Sequence, residues 1–440
     1  MSHDSGQPRD RTVRVEMLAR VEGEGGLHVT VRGGEVVDVQ LVIMEPPRFF
    51  EALLRGRAYT EPPDITARIC GICPVAYQMS ACQAIEQACG VVVPEPVRLL
   101  RRLLYCGEWI ESHALHVYLL HAPDFLGHEG AIDLATAHPD VVRRGLRLKK
   151  AGNALMSVVG GRSVHPVNVR LGGFYRMPSR EQLAEVRATL TEALDDAVAT
   201  VRLVAGFTFP QFEQPHTYLA MRADEGYPLE SGSLVTSGGL SFPAEEYLDH
   251  VVEEHVERSH ALHARLDGRP FVVGPLARYS LNHDRLSPLA RQLAAESGLG
   301  PVCRNPFRSI VVRAVELVYA VEEALRIIDL WVGSPTLASS PASVAVPARA
   351  GTGHGVTEAP RGVLYHRYTL ADDGTVLAAT IMPPTSQNQL SVEADLRVFV
   401  QSHLDLPEPE LTHRCEQAVR NYDPCISCAT HFLTLTVDRG

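Results

Sequence analysis

Arg68-Ile69-Cys70-Gly71-Ile72-Cys73 and Tyr422-Asp423-Pro424-Cys425-Ile426-Ser427-Cys428-Ala429-Thr430-His431 lie near opposite ends of the chain, and each carries a Cys-x-x-Cys pair. Two intervening residues let both sulfurs of a pair face one centre, and thiolates select zinc, iron–sulfur or other late transition metals over magnesium and calcium. Cys70, Cys73, Cys425 and Cys428 can therefore close one four-sulfur site, provided that the fold brings the two segments together. Two unrelated buried pairs, a redox disulfide and a structural zinc are the alternatives. Zinc ribbons hold their pairs within about 15–20 residues; here about 350 intervene, so the metal is not the staple of a small lobe.

The 440 residues allow two or three ordinary domains or one large unit, and a hydrophobic fraction of 45% supports a sizeable core. With 41 Lys and Arg against 52 Asp and Glu, the formal charge of −11 offers no field for nucleic acid or an anionic membrane. Of nine cysteines, Cys82, Cys89, Cys106, Cys303 and Cys415 are scattered, which is not a disulfide framework. The sequence lacks a signal-like start and any apolar run of about 18 residues, so a cytoplasmic location is expected.

Residues 1–11 read as a loose tail, and alternation from Thr12 to Met44 around a Gly33-Gly34 turn predicts a small antiparallel sheet. A short amphipathic helix is expected from Phe49 to Arg57. Pro74 then opens a helix with Val75, Met79, Cys82, Ile85 and Cys89 on its apolar face and Gly90 as its stop. That placement puts the first cysteine pair at a helix N-terminus, where the macrodipole favours thiolate. A long, deeply buried helix fits between Pro96 and Pro123, a loop runs from Gly160 to Gly173, and further helices are expected at 180–204, 244–266 and 309–330. A hairpin over Gly362–Met382 turns at Asp373-Gly374. The expected fold class is α+β, predominantly helical: a central bundle of long helices, a peripheral N-terminal sheet and a late hairpin. As segments of one large unit these become 12–44 (sheet), 45–361 (mainly helical) and 362–431 (hairpin and second cysteine pair).

Both cysteine stretches resemble the metal-binding signatures of nickel–iron hydrogenase large subunits, Arg-x-Cys-Gly-x-Cys and Asp-Pro-Cys-x-x-Cys-x-x-His. Further resemblance lies at Arg20-Val-Glu-Gly, Phe50-Glu51, Gly160-Gly-Arg-Ser-Val-His-Pro, Ala359-Pro360-Arg361-Gly362 and Pro383-Pro-Thr385-Ser-Gln-Asn, so it spans nearly the whole chain. The resemblance is greatest to the cytoplasmic NAD(P)-coupled and sulfhydrogenase group. It implies nickel on all four thiolates, with Cys73 and Cys428 bridging to an iron that carries cyanide and carbon monoxide. It further implies magnesium held by Glu51 and His431, Glu22 as the first proton acceptor, Arg361 over the metals, and Pro360 and Thr385 against the diatomic ligands. Because molecular hydrogen is a very weak acid, its heterolysis needs an electrophilic metal and a nearby base. Cys425 is the expected base, and Arg361 is the harder choice because its pKa is about 12.5–13.8.

Two positions depart from the family pattern: Tyr77 stands where a histidine is common, and Ser112 where many members carry an acid. By the same resemblance, the partners are an iron–sulfur small subunit facing His165, diaphorase-type subunits carrying flavin and NAD(P), nickel-insertion proteins, and a maturation protease that removes residues 432–440. A hydrogen-sensing regulatory subunit and the quinone-site subunit of respiratory complex I are rival readings; the second has lost the ligand cysteines that are present here.

Overall fold

In the computed structural model, the described residues are 10–46 and 49–430. Arg11–Val15, Gly25–Arg32 and Glu35–Ile43 form an antiparallel meander in that order. Its alternating residues Val13, Leu27, Val29, Val39 and Leu41 are buried, while Gly33 and Gly34 supply the positive φ values of the turn. This sheet lies on the Pro384–Gln401 helix, where Glu393 accepts the Leu41 amide at 2.9 Å.

The centre is helical. Glu95–Leu115, Pro139–Gly160, Arg180–Ala205 and Ser309–Gly333 pack on one another, and Pro74–Ala88 is buried on nearly all sides beside them. The first of these continues past Leu115 as a π turn over His116–His121 and a short helix over Ala122–Leu126. A capping box between Ser179 and Gln182 starts the Arg180–Ala205 helix. One main apolar core runs from Val13 through the bundle to Cys428. No helix among the described residues is long and apolar enough to cross a membrane.

Three sequence expectations need correction. The helix expected at 244–266 is instead a 3₁₀ turn, a four-residue helix at Tyr247–His250, and an antiparallel pair of strands, Val251–Glu254 with His263–Leu266. Here the β-branched Val251 and Val252 go into strand, and Tyr247 stacks on Tyr365 at 4.3 Å between ring centres. The late hairpin, Gly362–Leu370 with Val376–Met382, gains a third strand, Gly351–Ala359, on its outer edge. Pro139–Gly160, for which no element is expected above, is a helix that carries two glycines, residues of low helix propensity. Both glycines serve close packing: a Cβ on Gly152 would stand 2.7 Å from the Gly107 carbonyl, and one on Gly145 would stand 2.5 Å from the Tyr118 ring.

Candidate metal centre

Cys70 follows a 3₁₀ turn in extended backbone, and Cys73 caps the Pro74–Ala88 helix, with Pro74 at a position whose missing N–H costs nothing. The amides of Ile72 and Cys73 each point at the Cys70 sulfur, at 3.3 Å. Glu108, wholly buried on the neighbouring long helix, accepts the first helical amides, Val75 at 2.6 Å and Ala76 at 3.2 Å. Burial pushes its carboxyl well above the ordinary range.

The second pair sits on a short turn after the Glu408–Arg420 helix. The Cys425 amide donates to Thr385 Oγ1 at 3.0 Å, the Ile426 amide to the Glu22 carbonyl at 2.9 Å, and the Ser427 amide to Glu22 Oε2 at 3.1 Å. Gly23, at φ +90°, lets this segment lie flush: a Cβ there would stand 2.7 Å from Ile426 Cβ.

All four sulfurs lie within 4.8 Å of one another and all four cysteines are buried. Cys70 and Cys425 are 3.5 Å apart, Cys73 and Cys428 4.0 Å, and Cys425 and Cys428 2.8 Å. Hydrogen bonds from Cys425 and Cys428 hold the Cys70 thiol well below the ordinary value, while Cys425, hydrogen-bonded to Cys428 and Cys70 and buried, stays well above it. The remaining thiols behave as packing groups: burial pushes Cys82 and Cys415 up to about 12 and Cys303 to about 11. A buried set of four converging soft donors, one already disposed to ionise, fits a thiophilic transition metal.

Around the sulfurs, Cys425 Sγ lies 3.2 Å from Glu22 Oε2. Arg361 occupies the tight turn after Gly351–Ala359; its Nε donates to the Asp423 carbonyl at 2.9 Å and a terminal nitrogen lies 3.2 Å from the Asp423 carboxylate. Burial alone would lower its pKa, but Asp423 and the sulfurs of Cys425, Cys73 and Cys70 hold it well above the ordinary value, so it stays cationic. Arg313 approaches the other Asp423 oxygen at 3.5 Å, and Asp423 itself sits at φ +50° in the left-handed region. Beneath the turn, wholly buried Arg278 donates to the carbonyls of Ala359 at 2.6 Å and Pro360 at 2.8 Å.

Glu51 accepts the Ile381 amide at 2.6 Å and is not among the clustered ligands; His431 lies outside the described residues, as does the 432–440 segment. Tyr77 is buried with its ring 5.6 Å from that of His366, and the buried Ser112 hydroxyl has no hydrogen-bond partner among the described residues. His165, at φ +50°, bonds through Nδ1 to the Ala67 carbonyl at 2.7 Å, which ties its loop to the Cys70 segment. Glu108, Arg278, Arg313 and Asp423 were not singled out from sequence. Asp423 stood inside the quoted signature, whereas the other three lie in ordinary helical runs whose periodicity carries no sign of the site.

The nickel-dependent hydrogenase family profile matches residues 48–140 and 237–431. The chain is 36% identical to sulfhydrogenase 1 subunit alpha of Pyrococcus furiosus, over 96% of this chain and 98% of that one. It is 26% identical to the NAD-reducing hydrogenase HoxS subunit beta of Cupriavidus necator, over 96% and 95%. Among solved structures, an NAD+-reducing [NiFe]-hydrogenase in the H2-reduced state superposes with a TM-score of 0.85 at 28% identity, over 97% of this chain and 100% of that one. The chain therefore belongs to the nickel-dependent hydrogenase large-subunit family. It is an oxidoreductase acting on H2, and its α+β fold is that of the NiFe hydrogenase large subunit.

Proposed function

We propose that this chain is the catalytic subunit that splits and forms H2 heterolytically, passing electrons to an iron–sulfur small subunit and on to NAD(P). The observation that carries the reading is the Cys425 sulfur, one of four converging thiols, 3.2 Å from the Glu22 carboxylate. Cys70, Cys73, Cys425 and Cys428 would hold nickel, Cys73 and Cys428 would also hold an iron, and Pro360 and Thr385 would line the place of its cyanide and carbon monoxide. Bound there, the metals supply the electrophile that polarises H2.

Cys425 Sγ takes the proton and Glu22 Oε2 receives it, since Glu22 is the half-buried carboxylate 3.2 Å from that sulfur. Arg361, kept cationic by Asp423, polarises the reacting molecule and does not serve as base. Glu51 and His431 would hold magnesium, whose hard character suits oxygen and nitrogen donors over thiolates.

The small subunit would dock beside His165, where Val164, Val167 and Tyr175 are exposed on the loop tied to the Cys70 segment. The likeness to an NAD+-reducing hydrogenase supports diaphorase-type partners and the coupling to NAD(P). Cleavage of the 432–440 tail by a protease after nickel insertion, and a cytoplasmic location, complete the reading.

Cys425→Ala and Glu22→Gln in the purified complex test it. Cys425→Ala is expected to lose bound nickel and H2-dependent dye reduction together. Glu22→Gln is expected to keep its nickel and lose roughly 100-fold or more in turnover, the contribution typical of a positioned proton acceptor. One equivalent of zinc with neither nickel nor iron in active wild-type enzyme would overturn the proposal.

A further inference from the structure

The Glu22–Cys425 contact joins two segments about 400 residues apart in sequence, and away from the sulfurs one buried carboxylate takes an arginine from each. That carboxylate is Asp124, on the short Ala122–Leu126 helix, with a side chain 2% exposed. Arg420, at the end of the helix that leads into the second cysteine pair, donates to it twice, Nε to Oδ2 at 2.7 Å and Nη2 to Oδ1 at 2.9 Å. Arg20, two residues before Glu22, donates to Asp124 Oδ1 and, through its other terminal nitrogen, to the Leu120 carbonyl at 2.9 Å. Arg420 also reaches the Ala19 carbonyl at 2.8 Å, so the three side chains form one closed clamp.

The backbone shows what the clamp holds. Arg20 sits at φ +58°, a conformation that is strained for a non-glycine residue and persists only where the surroundings enforce it. It is this bend that turns Val21-Glu22-Gly23 onto Ile426 and Ser427. Among the contacts that hold it, the charge-assisted bonds to Asp124 are the ones that let two arginines share one small volume, which they cannot do without an anion between them. Glu416, which accepts the Ala19 amide at 3.0 Å and lies 3.9 Å from Arg420, and Glu45, which accepts the Glu24 amide and the Ser427 hydroxyl at 3.2 Å each, also link the two segments, but neither takes an arginine from both.

We infer that Asp124 is a positioning residue for proton transfer: by holding Arg20 and Arg420 together it sets the reach between Glu22 and Cys425. The inference rests on Glu22 accepting the proton from Cys425, as proposed above. Asp124 touches none of the four cysteines, so its effect on proton transfer passes through the Glu22–Cys425 contact that its two arginines set.

The test is a double-mutant cycle in the purified complex, read by nickel content, turnover, solvent isotope effect and crystallography. Asp124→Asn keeps the shape and removes the charge. It is expected to retain nickel, to lose roughly 10- to 100-fold in turnover with a larger solvent isotope effect, and to show Glu22 moved beyond hydrogen-bond distance of the Cys425 sulfur. In a Glu22→Gln background it is expected to add almost nothing. Arg20→Met, which cuts only the Glu22 arm and leaves the Asp124–Arg420 pair, is expected to behave in the same way and decides the matter if Asp124→Asn does not assemble. An unmoved Glu22 in the crystal, losses that multiply in the double mutant, or nickel loss with unchanged turnover per nickel would each overturn the inference. Full activity of Glu22→Gln alone would instead overturn the proton route on which it rests.

Discussion

Arg278 connects the bundle to the turn that carries Arg361, and it does so with no exposure to water. Its guanidinium is bidentate to Glu316 at 2.9 Å on both branches, pairs with Glu358 at 3.0 Å, and lies 4.4 Å over the Trp109 ring, besides holding the Ala359 and Pro360 carbonyls. A desolvated cation with this many partners is stable only as a set, because removing it leaves two buried carboxylates facing one another. Arg278→Met is therefore expected to destabilise by about 3–5 kcal/mol, a large part of the roughly 5–15 kcal/mol that typically separates folded from unfolded chains. Arg278→Lys should recover only part of this, since an ammonium cannot form the paired bonds. Thermal unfolding of the purified complex reads both variants, and midpoints at the wild-type value would contradict the argument. The same substitutions should free the Pro360-Arg361 turn, so H2 turnover is expected to fall faster than nickel content.

At the scale of elements, the Gly351–Ala359 strand shows why part of the fold could not be read. Gly351, Gly353 and Gly355 give the segment the composition of a loop, yet they are what allows a strand to lie directly on a helix backbone. A Cβ on Gly353 would stand 1.9 Å from the Ala84 carbonyl, and one on Gly355 would stand 2.2 Å from that of Ser80. Gly353→Ala is thus expected to push the strand off the Pro74–Ala88 helix at a cost of about 1–3 kcal/mol or more, seen as a lower unfolding midpoint and poorer nickel retention. An unchanged midpoint would show that the strand can shift freely. Where the sequence signal was local the reading held: the meander with its Gly33-Gly34 turn, the Pro74 start and Gly90 stop, and the Arg180–Ala205 and Ser309–Gly333 helices. Where the deciding contact was tertiary it failed, as with Val251 and Val252 going into strand and with the glycine-lined crossing of the Glu95–Leu115 and Pro139–Gly160 helices. The site divides in the same way. The four cysteines, Glu22 and Arg361 stand in short contiguous motifs, whereas Glu108, Arg278 and Arg313 matter only because distant helices bring them there.

For the whole molecule, ionisable groups withdrawn from water on the bundle helices and on the strands packed beside them set how stability responds to acid. Burial lowers His113 and His263 to about 4 and His366 to about 3, so these remain neutral in the folded protein while the unfolded chain takes up their protons from about pH 6.5 downward. Each therefore costs stability as pH falls below about 6.5. Glu230 and Glu358 act in the opposite sense: burial raises both to about 7, so the folded state holds protons that the unfolded chain releases above about pH 4.5. Between about pH 4.5 and 6.5 the two sets oppose each other and the profile should be shallow. Below about pH 4.5 both states protonate the two glutamates and the opposition ends. Glu316 then joins the histidines: burial disfavours its charge, but Arg278 and His113 outweigh that and hold it at about 2, so its contribution is lost as pH falls from its unfolded value toward 2. Unfolding midpoints of the complex are accordingly expected to change little from pH 6.5 to 4.5 and to drop below 4.5, most steeply down to about pH 4, where His113 and His263 begin to take up protons in the folded state as well. In Glu316→Gln the steep limb should flatten by up to one proton's worth, about 1.4 kcal/mol per pH unit, whereas a limb of unchanged slope would exclude Glu316 as a source of the acid sensitivity.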